Sequence, residues 1–140
     1  LLPSAAAALG SLGLLCSVMI YVDTRRAFWR FAQTAPRFFG TAALFALAPI
    51  SPRATALLLA VKLAWESRAF FASSISARLL RGPLARAVYT RHLLALAARI
   101  PLAFATPLWL ALPLLLAGEI AERYLFFRAV AAPKMPGVPA

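Results

Sequence analysis

Two ionisable pairs at helical spacing are the first residues in this sequence that could carry chemistry. Lys62 and Glu66 are four residues apart within an apolar run, so they lie on one face of a helix and can pair. Glu119 and Arg123 repeat that spacing, with Glu122 beside them. Such groups either form salt bridges that neutralise each other or handle protons, and the spacing alone leaves both interpretations open.

Two single polar side chains extend this set. Arg99 lies inside another apolar stretch, where it either pairs with a carboxylate from a different helix or contacts a polar head group. His92 follows Arg91 at the start of that stretch, and an imidazole there can donate a hydrogen bond and exchange its proton near neutral pH, or be incidental. The candidate proton-handling residues are His92, Glu66, Lys62, Arg99, Glu119, Glu122 and Arg123.

The sequence contains no set of residues with the spacing of metal ligands. Cys16 is the single cysteine and lies in an apolar run, where a small buried hydrophobe is the plainest interpretation. His92 is the single histidine, so the chain alone cannot hold a haem between two histidines. We therefore predict no metal site and no catalytic residue in this chain.

The composition is that of a membrane protein. Hydrophobic residues make up 63% and charged residues 14%, against about 45–50% and about 25% in ordinary soluble domains. A net charge of +11 would otherwise suggest nucleic acid. The arginines, however, fall in separate clusters that flank apolar stretches rather than on one exposed face. We therefore expect a lipid membrane, and not nucleic acid, as the environment.

Apolar stretches predict about five membrane-spanning helices, since each needs about 20 residues, with a range of about 17–25. Ser51 followed by Pro52 is a typical helix start. The apolar region that contains Pro101 and Pro107 would be roughly 57 Å long as a single helix, which is about twice the thickness of the hydrocarbon core. We therefore expect these two prolines to frame a turn. The sequence predicts an all-α, polytopic transmembrane bundle in one domain over residues 1–140. The predicted spans are 3–22, 36–50, 52–71, 90–105 and 107–127.

The basic residues alternate between the predicted loops. The first loop, the third loop and the tail hold most of them, whereas the second loop has only Arg53 and the fourth has none. By the positive-inside rule, the first and third loops and the C-terminus are cytoplasmic. These arginines either dock a partner through its acidic patches or only set the topology. The docking candidates are Arg25, Arg26, Arg30, Arg78, Arg81 and Arg86.

Three stretches resemble the dimethyl sulfoxide reductase anchor-subunit family. They are SVMIYVDTRRAFW over 17–29, RFFGT over 37–41, and GEIAERYLFF over 118–127 running into PKMPG over 133–137. The basic loop ARLLRGPL over 77–84 is similar to that family in style. Together the stretches are distributed along nearly the whole chain, in the family's order.

This resemblance implies the C-terminal five spans of an eight-span, all-helical anchor in a bacterial inner (plasma) membrane, multi-pass, with a cytoplasmic C-terminus. The anchor would bind an iron–sulfur electron-transfer subunit, which serves a molybdopterin catalytic subunit. Iron–sulfur clusters and molybdopterin would belong to those partners. Quinone or quinol would be the exchangeable partner of this chain, with the candidate residues above near it. The chain alone would have no activity.

Two other function classes fit the same residues. In a transporter or channel component, Lys62, Glu66 and Arg99 would line a polar intramembrane pathway together with Glu119, and proline-broken helices would supply the binding site. In a purely structural assembly subunit, the chain would have no contact with quinone. Water-accessible positions along one helix face are expected of a transporter or channel component and not of a structural subunit.

Overall fold

The computed structural model describes residues 2–104 and 107–130, with side chains described from residue 4 onward. This part of the chain is helical and contains no strand, which confirms the all-α prediction. A short 3-10 turn at Ala27–Trp29 separates the first two helices. The α-helices are α1 (Leu2–Asp23), α2 (Phe31–Leu47), α3 (Pro52–Phe71), α4 (Ile75–Arg81), α5 (Ala85–Ala103) and α6 (Leu108–Arg128).

Serine caps explain where two of these helices begin. The Ser51 side chain accepts a hydrogen bond from the Ala54 N–H at 3.4 Å, and Pro52 is the first residue of α3, as predicted. Ser74 caps α4 in the same way, accepting from the Ala77 N–H at 3.2 Å. The short helix α4 was not predicted, because its seven residues show too little apolar periodicity.

Prolines interrupt the helices less than the sequence suggests. The helices extend beyond the predicted spans that start at residues 36 and 90, since α2 begins at Phe31 with Pro36 inside it and α5 begins at Ala85. Pro101 lies inside α5 instead of framing the turn. A proline inside a helix removes one backbone donor and its ring presses on the preceding turn, which kinks a helix without necessarily ending it. The predicted end at residue 105 and the stretch 133–137 lie outside the described residues.

The helices pack in three layers along their length. In the first layer, small and branched side chains bring α5 and α6 together against α2 and α3. The buried residues of α5 are spaced three or four apart, and those of α6 keep this spacing apart from two adjacent pairs, as expected for one helix face. The buried residues of this apolar layer include Leu44, Leu59, Leu63, Ala95, Ala98, Leu102, Ala111 and Leu115.

An aromatic layer closes the other end of the bundle. Trp29 stacks on Phe126, and its indole Nε1 donates a hydrogen bond to the Phe126 carbonyl at 3.1 Å. The Tyr21 ring packs edge-on against Trp29 and Phe126, with centroid distances of 5.2 and 5.4 Å. The turn after α1 is thereby fixed against the end of α6. Between the apolar and aromatic layers lies a layer of charged side chains.

The distribution of apolar side chains between surface and interior is inverted relative to a soluble protein. Leu57, Val61 and Ile120 are 60–66% exposed, while Arg91 and Glu122 are each 1% exposed. Within the described residues, α1 over Ser4–Asp23 is the one helix whose length and composition by themselves suit a membrane span. The helices α3, α5 and α6 each carry at least three charged residues. Most of the charged side chains that the fold buries belong to these three helices. One span is therefore supported directly, and about five stays a prediction.

Candidate functional site

Six ionised side chains from four helices meet in the layer between the apolar and aromatic layers. They comprise three cations and three carboxylates, so the group is formally neutral, and their side chains are between 1% and 7% exposed. Burying so many charges is tolerable only when they are paired and hydrogen-bonded. This charge cluster consists of Arg37 from α2, Lys62 and Glu66 from α3, Arg91 from α5, and Glu119 and Glu122 from α6.

Glu119 is the carboxylate that joins the most helices. Its Oε1 accepts a hydrogen bond from Arg91 Nη2 at 2.8 Å, and its Oε2 accepts one from Lys62 Nζ. The Thr41 hydroxyl of α2 also contacts Oε2. One carboxylate therefore connects α6 to α2, α3 and α5.

Glu66 holds the second junction. Arg91 approaches it in a forked geometry, with Nε to Oε2 and Nη2 to Oε1 both at 3.2 Å. Lys62 Nζ is 3.3 Å from the same Oε1, which confirms the predicted pairing of Lys62 with Glu66. Because Arg91 contacts both Glu66 and Glu119, the pair predicted from spacing is only one edge of a larger network.

Glu122 pairs with Arg37, at 2.6 Å between Oε1 and Nη1. Glu119 and Arg123, the second pair at helical spacing, form none of the ion pairs among the described residues, because Glu119 faces the interior of the bundle. Arg123 instead donates to the Thr41 hydroxyl at 3.3 Å, and its Nε lies 3.8 Å from Glu122 Oε2. Its side chain is 27% exposed, so Arg123 forms the outer border of the charge cluster.

Two glycines leave room for the cations. A Cβ at Gly118 would lie 2.9 Å from Arg91 Nη1, closer than real Cβ contacts come. A Cβ at Gly40 would lie 3.3 Å from Lys62 Cδ. The missing side chains therefore let Arg91 and Lys62 pass directly against α6 and α2 to reach their carboxylates.

His92 lies beside the charge cluster and belongs to a different contact. Its Nδ1 is 2.9 Å from the Val88 carbonyl, which only accepts, so Nδ1 must carry a proton. Its Nε2 is 3.1 Å from the Ser67 hydroxyl. This pair lies on a groove between α3 and α5 with a volume of about 350 Å³. The lateral groove is lined by Ser67, Phe70, Phe71, Val88, Tyr89 and His92.

The Arg99 side chain is half-buried and takes no part in the ion pairs of the charge cluster. The carboxylates Glu66, Glu119 and Glu122 all pair with other cations, and none of the ion pairs among the described residues includes Arg99. Of the two alternatives left open for Arg99, pairing with a carboxylate of another span is therefore not found among the described residues. Contact with a polar head group stays a prediction.

The six docking candidates lie at one end of the bundle, which we call the basic end. Residues 24–28 line a common cavity with Ser76, so the turn after α1 lies beside α4 and the start of α5. Two of these arginines also contact other residues of the chain. Arg81 donates a hydrogen bond to the Ala72 carbonyl at 3.1 Å, and the Arg26 guanidinium lies 4.9 Å from the centroid of the Trp29 ring. The exposed candidates are Arg25, Arg30, Arg78, Arg81 and Arg86.

Arg37, Thr41 and Arg91 are the site residues that sequence reasoning missed. The two arginines lie at the first residues of predicted spans, where a positive charge is typical of the cytoplasmic border of a membrane helix. A signal was available for Arg91, which begins the buried stripe that continues through Ala95 and Ala98. For Arg37 and Thr41, the signal was their four-residue spacing, which places both on one helix face.

Comparison with known proteins identifies no relative of this chain. No protein-family model, no curated protein and no solved structure matches this chain. The resemblance to the dimethyl sulfoxide reductase anchors therefore stays a prediction that depends on the three stretches. The features of the described residues that bear on function are the charge cluster, the lateral groove and the basic end.

Removing Arg91 should destabilise the bundle strongly. We expect Arg91→Gln to lower the free energy of unfolding by about 3–5 kcal/mol, because Glu66 and Glu119 would be left with Lys62 as their one cation. The measurement is reversible unfolding in mild detergent or bicelles. Arg86→Gln is the matched control on the same helix, where the exposed side chain predicts a change within about 0.5 kcal/mol. Equal effects of the two substitutions would show that the charge cluster does not stabilise the fold.

Gly118 and Gly13 should respond to alanine with opposite sign. Gly118→Ala should lower the free energy of unfolding by about 1–3 kcal/mol, because the forked contact to Glu66 prevents the Arg91 guanidinium from moving away. A Cβ at Gly13 would meet no atom within 4 Å. Gly13→Ala should therefore stabilise α1 by about 0.5–1 kcal/mol through helix propensity. A neutral Gly118→Ala would mean that Arg91 does not pack against α6.

Proposed function

We propose that this chain is the multi-pass membrane anchor subunit of a molybdopterin and iron–sulfur oxidoreductase, where it exchanges electrons with the quinone pool. The observation that carries the proposal is the lateral groove, in which an aromatic, outward-facing wall meets the polar His92 and Ser67 pair. Substrate chemistry would take place on a partner subunit. The chain alone would have no enzymatic activity.

Membrane placement by five helices is supported by length and by burial. The helices α1, α2, α3, α5 and α6 have 22, 17, 20, 19 and 21 residues, all within the range of about 17–25 that a bilayer requires. Their outward surfaces are apolar, and the six most buried charges cancel. A neutral, hydrogen-bonded interior is the form in which charged residues are tolerated inside a bilayer.

The basic end supports an orientation. Helices α1, α3 and α6 end there, α2 and α5 begin there, and it carries the arginines of both predicted basic loops. The positive-inside rule then places this end in the cytoplasm of a bacterial inner membrane. Because α6 ends on that side, the chain after Arg128 would begin in the cytoplasm. The six docking candidates would there face a partner with acidic patches.

The lateral groove supports a quinone as the small-molecule partner. Its volume of about 350 Å³ falls within the roughly 300–1,000 Å³ of typical ligand pockets, which are mostly apolar with a few placed polar groups. Phe71 and Tyr89 are 80% and 64% exposed at its rim, so a hydrophobic ring can enter sideways from lipid. His92 and Ser67 provide the groups that a quinone carbonyl or quinol hydroxyl requires.

The iron–sulfur partner is part of what the resemblance implies. With one cysteine and one histidine, this sequence does not supply the four ligands of a cluster. In the proposed complex the clusters belong to the partner, and electrons would reach the groove from a partner at the basic end. The three stretches that resemble the anchor family also meet in space, since Trp29 packs on Phe126 and Arg37 binds Glu122. Their convergence supports a common role for them.

A transporter or channel component is the second candidate. It is favoured by the polar interior and by the prolines inside α2, α5 and α6, which recur in transporter helices. Against it, Arg99 takes part in none of the ion pairs of the described residues, so the charge cluster does not include one of the residues predicted to line the polar pathway. A purely structural subunit is the third candidate, and it differs from the first only in the use of the lateral groove.

Composition of the native complex tests the anchor proposal most directly. We expect affinity purification of the full-length protein from its native membrane in mild detergent to recover an iron–sulfur subunit, a molybdenum subunit and bound quinone. The measurement is subunit identification together with assays of iron, molybdenum and quinone. Recovery of the protein alone, with neither metal, would favour the transporter candidate instead.

Quinone-dependent turnover should require His92. In the intact complex, His92→Ala is expected to lower quinone-dependent turnover by about a hundredfold, the usual contribution of one positioned proton-transfer group. Turnover with a soluble dye that donates directly to the partner subunits should stay unchanged, and subunit content should be preserved. Thr90→Ala, an exposed position on the same helix, is the control. Unchanged quinone kinetics in an assembled His92→Ala complex would favour the structural subunit.

A further inference from the structure

A second, smaller cavity lies behind the lateral groove, between the groove and the charge cluster. Its volume is about 30 Å³. Ser67, Phe70, Val88 and His92 line both spaces, so the His92 and Ser67 pair stands at the wall between them. The other lining residues of this inner cavity are Phe28, Arg37, Glu66, Leu80, Arg91, Glu122 and Leu125.

Three buried polar atoms of the lining residues have no hydrogen-bond partner among the described residues. They are Oε2 of Glu122, an acceptor, and two donors, Nε of Arg37 and Nη1 of Arg91. The side chains of Glu122 and Arg91 are each 1% exposed, and that of Arg37 is 5% exposed. Buried polar groups of this kind nearly always have a partner in proteins, and a water molecule can accept from a donor and donate to the acceptor. A water needs roughly 10–15 Å³ of such space, which the inner cavity exceeds.

We propose that the inner cavity binds water and that this water carries protons between His92 and Glu122. Glu122 is the acceptor that the contacts leave open. Both oxygens of Glu66 are held by Arg91, and both oxygens of Glu119 are held by Arg91 and Lys62. Arg37 occupies only Oε1 of Glu122, so Oε2 can take a proton while that contact persists.

Each transfer balances at named atoms. Nδ1 of His92 keeps its proton on the Val88 carbonyl, so Nε2 is the nitrogen that gains and loses one. In the protonated form Nε2–H donates to Ser67, whose hydroxyl donates to the Leu63 carbonyl at 2.8 Å. When Nε2 releases its proton to the cavity water, the imidazole becomes neutral. The water passes one of its own protons to Glu122 Oε2, which becomes a neutral carboxyl beside the partly exposed Arg123.

This route deepens the proposed function, since oxidation of a quinol in the lateral groove releases protons that must leave the site. The water and its proton transfer can nevertheless be tested without quinone or partner subunits. The sample is the full chain in lipid nanodiscs, the probe is water itself, and the method is nitrogen-15 NMR of the arginine and histidine side chains. A failure of the proposed function would leave this measurement unaffected.

Two readouts are compared across matched variants. The Arg37 Nε–H should show a cross-peak to a long-lived water, and Leu125→Phe, which fills the inner cavity, should abolish it. Proton exchange of His92, measured at a pH where both of its forms are populated, should slow by about tenfold or more in Leu125→Phe and in Glu122→Gln. Leu116→Phe is the control, since Leu116 is 51% exposed on the same helix.

The expected pattern is loss of the water cross-peak only in Leu125→Phe and slow exchange in both inner-cavity variants. Absence of the cross-peak in the unmodified protein would overturn the water site. Unchanged exchange in a folded Glu122→Gln protein would overturn the proton route. Because Leu125→Phe removes no charge, it decides the question even where Glu122→Gln fails to fold.

Discussion

Pairing of Glu119 with Arg91 and Lys62 is the interaction on which the rest of this structure depends. An ion buried at low dielectric costs several kcal/mol unless a counter-ion and hydrogen bonds compensate it. Neither Arg37 nor Arg91 has an acidic residue on its own helix. Both are therefore neutralised from other helices: Arg37 by Glu122 of α6, and Arg91 by Glu66 of α3 together with Glu119 of α6. A slip of α6 by one turn would leave at least one of these charges unpaired, so the charge cluster selects both the neighbours of each helix and their register.

The layers on either side of the charge cluster follow from this constraint. Gly118 and Gly40 supply the space through which the cations reach their partners. Ala95, Ala98 and Ala111 allow the close approach of α5 and α6 in the apolar layer. At the opposite end, the aromatic layer seals the cluster from the basic end, with Arg37 lying 5.2 Å from the Phe28 ring centroid. Apolar side chains that a soluble protein would bury are left facing outward.

The same arrangement connects the proposed chemistry to the fold. His92 is held by Val88 and Ser67 at the wall between an apolar groove and a polar cavity, so one imidazole contacts both environments. The charge cluster beside it is neutral as a whole but has one open carboxylate oxygen on Glu122. A site of this form can receive a hydrophobic ring from one side and pass a proton to the other.

Local features of this protein were determined by the sequence itself. Helical class, the capped start of α3 and the pairing of Lys62 with Glu66 depend on residues within one turn of each other, where backbone geometry fixes the neighbours. The partners of Glu119 were decided only by the tertiary structure, because Arg91 and Lys62 are 28 and 57 residues away along the chain. The same reason explains why the sequence left the contacts of Arg99 and Arg123 open. Spacing along a helix shows which face a charge occupies, whereas the helix that meets this face depends on packing angle and register, which the apolar pattern leaves undetermined.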